Sequence, residues 1–106
     1  DYILLDEPLN NLDMKHSVQI MQTLRRLCKD LNKTIVIVLH DINFASCYSD
    51  DIIALKNGEI VKADTKDNVI QAEILKQLYE MDVHIEEIRG QRICLYYDED
   101  TFDSLL

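Results

Sequence analysis

Residues Thr34 to Leu39 read TIVIVL. Every residue but the last is β-branched, and all after Thr34 are apolar. An unbroken run of this kind, with no alternation, is the pattern of a strand covered on both faces, as in a parallel sheet. A shorter apolar run, Ile3 to Leu5, reads the same way. Between the two, Met14 to Leu31 carries apolar residues at spacings of three and four: Val18, Met21, Leu24, Leu27 or Cys28, and Leu31. Lys15, Gln19, Gln22, Arg25, Arg26 and Lys29 fall mostly on other faces, so this stretch is predicted to be an amphipathic helix. Asp13 is its N-cap, and Asn32-Lys33 ends it.

Beyond the second strand, Asp41 caps a short helix from Ile42 to about Ser49. The stretch "DIIALKNGEIVKAD" reads as strand, Asn57-Gly58 turn, strand, since Asn-Gly is the strongest short hairpin signal. Asp67 to Glu80 is predicted helical with a break near Gln71. "VHIEEIR" and "RICLYYD" form a second hairpin around Gly90. The acidic end, "DEDTFDSLL", is expected to fray. Strand–helix–strand–helix–strand followed by small hairpins is an α/β pattern. No internal repeat, low-complexity segment or Pro/Gly/Ser linker interrupts it. A subdomain boundary is expected near Asp67, giving segments 1–66 and 67–106.

The 106 residues suffice for one domain. A composition of 47% hydrophobic and 29% charged residues fits a folded, water-soluble chain. The net charge of -9 argues against non-specific nucleic-acid binding and against direct attachment to an anionic membrane. An anionic nucleotide is still allowed, because local N–H groups and one cation outweigh a global field. The longest apolar run, Ile35 to Leu39, is too short to span a bilayer, and no export signal opens the chain. Cys28, Cys47 and Cys94 show no metal-ligand spacing and read as free thiols of a reducing compartment.

Chemistry concentrates at Asp6-Glu7. A strand ending there sets two carboxylates at the carboxyl edge of a sheet, where ligands of open α/β sheets bind. Successive strand side chains point opposite ways, so one carboxylate can serve a Mg²⁺ shell and the other a polarised water. Pro8 stops the strand. Taken alone, "LLDE" reads as a solvated acidic turn, and His40-Asp41 as a strand-to-helix corner. His16 reads as a surface residue and His84 as structural or exposed. Tyr48, Tyr79, Tyr96 and Tyr97 read as packing or rim residues, with no basic residues interleaved for base stacking.

In order, the chain carries "YILLDE", a proline, "NNLD", "TIVIVLHD" and "INFASCYSDDIIALKNGEIV". This series resembles the ATP-binding cassette (ABC) ATPases, most closely the ATPase subunits of ferric-siderophore importers. The resemblance implies the C-terminal part of a P-loop NTPase domain. Its sheet would be mostly parallel and flanked by helices, with small C-terminal hairpins. It implies ATP and Mg²⁺ as cofactors, with Asp6 holding Mg²⁺ through water and Glu7 as general base or water-orienting group. His40 would be the switch histidine reaching the γ-phosphate. Asn10, Asn11, Leu12 and Asp13 would form the D-loop, facing a second ATPase subunit across the nucleotide. Leu9-Asn10-Asn11 departs from the Ser/Thr-plus-small opening usual in that loop; Asn10 offers similar hydrogen bonds with a different reach.

No GxxxxGK[ST] loop, recognisable Q-loop or LSGGQ-like signature occurs in the 106 residues. The expectation is therefore a fragment beginning at Walker B, inactive alone, from a protein docked on a membrane permease at the cytoplasmic face. The strand that carries the phosphate loop in the family would leave a gap in the sheet, with exposed edges that invite association. Two other readings stay open: an ABC ATPase of DNA repair, disfavoured by the charge, and a non-enzymatic interaction module that pairs with a full-length ATPase.

Overall fold

The structure, a computed structural model, describes residues 2–96. Its elements are β1 (Tyr2–Asp6), α1 (Met14–Leu31), β2 (Thr34–Val38), α2 (Ile42–Tyr48), β3 (Asp51–Lys56), β4 (Glu59–Thr65), α3 (Lys66–Val69), α4 (Ala72–Tyr79), β5 (His84–Ile88) and β6 (Gln91–Leu95). The predicted acidic C-terminal fray and Tyr97 lie outside the described residues. The chain groups into two compact units, residues 1–44 and residues 45–106, so the β3–β4 hairpin belongs with the C-terminal region.

In the first unit, β1 and β2 pair in parallel, with Tyr2 opposite Thr34 and Asp6 opposite Val38. A parallel pair needs a crossover, and α1 supplies it. Asp13 caps α1 and Asn32 ends it in the left-handed conformation at φ 51°, which asparagine tolerates. Of the two phases open in the sequence, Cys28 is the half-buried one and Leu27 the exposed one. Ser17 and Met21 are the buried residues of α1.

One expectation is corrected. The strands were expected to be covered on both faces, but Tyr2 is 80% and Leu4 69% exposed, and Val36 and Val38 are 43% exposed. These four share one face of the β1–β2 pair; Ile3, Leu5, Ile35 and Ile37 share the other. α1 packs on β2, and one helix covers one face. The expected incomplete sheet is present: β2 pairs with β1 alone, and the described strands form three separate two-stranded sheets.

The second unit is built on hairpins. Asn57 and Gly58 (φ 52° and 77°) and Arg89 and Gly90 (φ 52° and 79°) put both turn residues at positive φ, the type I′ geometry that matches strand twist. β3 pairs antiparallel with β4 across a bulge at Ala54/Leu55, and β5 pairs antiparallel with β6. Val69, Ile70 and Leu75 are fully buried and Cys94 is 1% exposed. The break between α3 and α4 falls at Ile70-Gln71, as the sequence suggested. Ser46 Oγ donates to the Arg92 carbonyl at 2.6 Å, and Arg92 Nε donates to the Ile70 carbonyl at 2.9 Å, so these part-buried polar groups are paired.

Asp64 precedes α3 and accepts the Thr65 backbone N–H at 2.7 Å. That bond, then one from the Asn68 side chain, with Lys62 nearby, holds its carboxyl below the usual Asp range. A depressed folded pKa means a stabilising contribution that is present above the unfolded value, about 3.9, and lost as pH falls through the folded one. Asp64→Asn should therefore flatten the acid limb of a melting-temperature profile by lowering the neutral plateau slightly, while the two proteins converge in acid, where the parent carboxyl is protonated. An unchanged acid limb would contradict this.

Candidate functional site

All the residues of the site lie in the first unit, where the carboxyl ends of β1 and β2 stand side by side. The ladder continues one residue past Asp6: the Glu7 N–H donates to the Val38 carbonyl at 3.1 Å. Glu7 then turns at φ 51°, a left-handed conformation that costs a non-glycine residue about 1 kcal/mol or more and recurs at functional sites. Its carboxylate Oε1 accepts from Nε2 of His40, which stands at the end of the neighbouring strand. An ionised carboxylate is acceptor-only, so with Glu7 ionised the contact requires the His40 tautomer that carries a proton on Nε2. The His40 side chain is 81% exposed and that of Glu7 39%, so both are reachable from solvent.

After Pro8 the chain makes two successive turns. The Asn10 N–H donates to the Glu7 carbonyl at 3.1 Å and the Leu12 N–H to the Leu9 carbonyl at 3.2 Å, with Asn11 left-handed at φ 65°. On the other side of the site, Asp41 Oδ1 accepts the N–H groups of Asn43 at 2.9 Å and Phe44 at 3.1 Å, so α2 starts directly after His40. Glu7, Asn10, Asn11, Leu12, His40 and Asp41 line an open cleft of about 390 Å³.

Of the residues singled out in the sequence, Glu7, Asn10 and His40 are thus brought to one cleft. Asp6 ends β1 and is exposed, outside the cleft lining. Asp13 also lies outside it and turns to its own helix, where Oδ1 accepts the His16 N–H at 2.8 Å. Leu9, Met14, Ser17, Val38, Leu39 and Phe44 complete the cleft wall, and none of them was foreseen as a site residue. Ser17 was legible in principle, since it stands four residues before Met21 and so on the same, buried face of α1. The contact of His16 Nδ1 with Asp13 Oδ1 at 2.7 Å was also missed, though an Asp-x-x-His spacing at a helix start brings N-cap and N3 side chains together.

Among the described residues no group of three or more His, Cys, Asp and Glu could hold a metal ion by itself. Two adjacent carboxylates at a strand end do fit the way Mg²⁺ is commonly held, by one or two carboxylates, waters and substrate phosphates. Among the described residues no helix is long and apolar enough to cross a membrane.

No protein-family model matches the chain. It is 60% identical over 97 residues to the petrobactin import ATP-binding protein YclP of Bacillus subtilis, an alignment covering 92% of this chain and 38% of the relative. It is 48% identical to the petrobactin import ATP-binding protein FatE of Bacillus anthracis, over 85% of this chain and 35% of that protein. It is 40% identical to the iron(3+)-hydroxamate import ATP-binding protein FhuC of Bacillus subtilis, over 92% of this chain and 37% of that protein. The chain therefore spans little more than a third of the length of these relatives. Among solved structures, an inward-facing metal-chelate type ABC transporter superposes on 99% of this chain and 41% of its own with a TM-score of 0.76 at 22% identity, which establishes the fold. CbiO1 of Clostridium perfringens, part of the ABC transporter complex cbiONQ, covers 72% of this chain and 30% of its own at a TM-score of 0.61 and 29% identity. The chain belongs to the ATP-binding proteins of ABC transporters and is similar to those of siderophore importers.

Proposed function

We propose that the chain is the Walker B-to-switch-histidine part (residues 1–66), with a C-terminal extension (67–106), of the subunit that hydrolyses ATP to drive import of an iron–siderophore complex. The observation that carries this reading is the meeting of Glu7 and His40 at the mouth of a cleft walled by Asn10 and Asn11. Phosphoryl transfer is mostly positioning and charge stabilisation, and these groups suit it. Glu7 takes a proton from the attacking water or orients it. His40 donates to the γ-phosphate once that group draws it from Glu7. Asn10 to Asp13 face a second copy of the ATPase subunit across the nucleotide. Asp6 would hold Mg²⁺ through water, which when bound neutralises phosphate charge.

The whole subunit, in this reading, is a homodimer docked on a transmembrane permease at the cytoplasmic face of the membrane. The siderophore is inferred from the relatives' names, since petrobactin and iron(3+)-hydroxamate importers stand among them. The 106 residues contain no GxxxxGK[ST] cradle for the phosphates, so the isolated chain should neither hold ATP tightly nor turn it over. Two measurements test this. Coding DNA read in frame upstream of the Asp1 codon should encode a GxxxxGK[ST] loop and an LSGGQ-like segment; a start codon directly before Asp1 would overturn the fragment reading. Phosphate release by the purified 106-residue chain should stay at background, and Glu7-dependent turnover would contradict its inactivity.

A further inference from the structure

The loop from Glu7 to Asp13 is held by a histidine at each end. At its start, His40 Nε2 meets the Glu7 carboxylate. At its close, His16 Nδ1 meets Asp13 Oδ1 at 2.7 Å, and the same oxygen accepts the His16 backbone N–H at 2.8 Å. Between these points lie the two successive turns and the left-handed Asn11. The residues so enclosed, Asn10, Asn11 and Leu12, line the cleft, as do Met14 and Ser17 just past Asp13. A backbone cap alone leaves the Asp13 carboxylate free to swing about the axis of its one bond. A second donor on the same oxygen fixes the plane of the carboxylate and leaves Oδ2 as its second acceptor.

We propose that His16 is a positioning residue: its imidazole locks the Asp13 end of the loop so that Asn10, Asn11 and Leu12 keep their places in the cleft. The contact is a property of this chain; its effect on turnover rests on the ATPase reading above. The pair is exposed, 61% and 65% for the two side chains, so its weight is modest and lies in geometry rather than in overall stability. His16→Ala separates the two roles of the contact, because the backbone N–H of residue 16 still caps α1 after the ring is gone. His16→Asn returns a side-chain N–H near the position of Nδ1.

The test has two arms. In ¹⁵N–¹H spectra of the 106-residue chain, His16→Ala should move the amide resonances of Asn10, Asn11 and Leu12, and His16→Asn should bring them back toward the parent. Changes confined to α1 would overturn the lock. In the full-length ATPase carrying this segment, His16→Ala should lower kcat about two- to fivefold with KM for ATP unchanged, and His16→Asn should recover most of it. Parent-like kcat in His16→Ala, or equal loss in both variants, would overturn the positioning role. Glu7→Gln is run alongside: if it too leaves turnover unchanged, the ATPase reading fails, while the spectra still decide whether the loop is locked.

Discussion

If the proposed ATPase reading holds, Glu7→Gln in the full-length protein carrying this segment is expected to lower kcat by about 10²- to 10⁴-fold, the range for loss of a positioned general base. The side chain keeps its length, and its amide oxygen can still accept from His40 Nε2, so the contact that joins β1 to the end of β2 survives. What goes is the capacity to take or hold a proton from water. KM for ATP should change little, because Glu7 is assigned to the water and not to the nucleotide. Steady-state phosphate release at saturating MgATP measures the first effect, and equilibrium nucleotide binding the second. Turnover within about threefold of the parent would remove Glu7 from the reaction. Loss of ATP binding together with turnover would instead make it a structural residue of the strand end. The left-handed backbone at Glu7, φ 51°, gives the substitution a further use. Gln does not relieve that conformation, so a change in activity is read from the carboxylate and not from relaxed backbone.

The elements most legible in the sequence were those fixed by local chemistry. Asn57-Gly58 can take positive φ at both positions, and the β3–β4 turn is there. Asp13 and Asp41 are strong helix starters, and each accepts the N–H groups expected of it. The break at Ile70-Gln71 and the β5–β6 hairpin were legible for similar reasons. Glu7 and His40 were legible as strand-end residues, and parallel pairing of β1 with β2 in register brings those ends together. What local chemistry does not determine is what lies against a face. TIVIVL is suited to cover on both sides, yet Val36 and Val38 keep 43% of their surface exposed. A residue pattern records the surroundings a strand is built for, while burial depends on which segments are present to supply them. The His16 contact was missed for another reason: the residue lies outside the apolar stripe of α1, and its side-chain contact is made backwards across a single turn to Asp13.

The second large effect concerns where this chain keeps its stability. Leu75→Ala should destabilise residues 45–96 by about 2–5 kcal/mol, the cost of emptying a buried leucine site that collapses only in part. Leu75 is 0% exposed in α4, in a unit that also buries Val69 and Ile70 completely and leaves Cys94 1% and Val83 6% exposed. Leu31→Ala is the matched control: the same atoms are deleted from the end of α1, where the leucine is 55% exposed, and less than about 1 kcal/mol should follow. Amide hydrogen exchange of the 106-residue chain reads each unit by itself. Leu75→Ala should speed exchange in β3, β4 and α4, and Leu31→Ala should not. Equal effects of the two substitutions would mean that the buried cluster around Leu75 is not the stabilising core of its unit. The first unit has the weaker case for independent stability: its buried side chains are Ser17 and Met21, while Tyr2 and Leu4 face solvent. The strands that hold Glu7 and His40 therefore lack cover on the face carrying Tyr2, Leu4, Val36 and Val38.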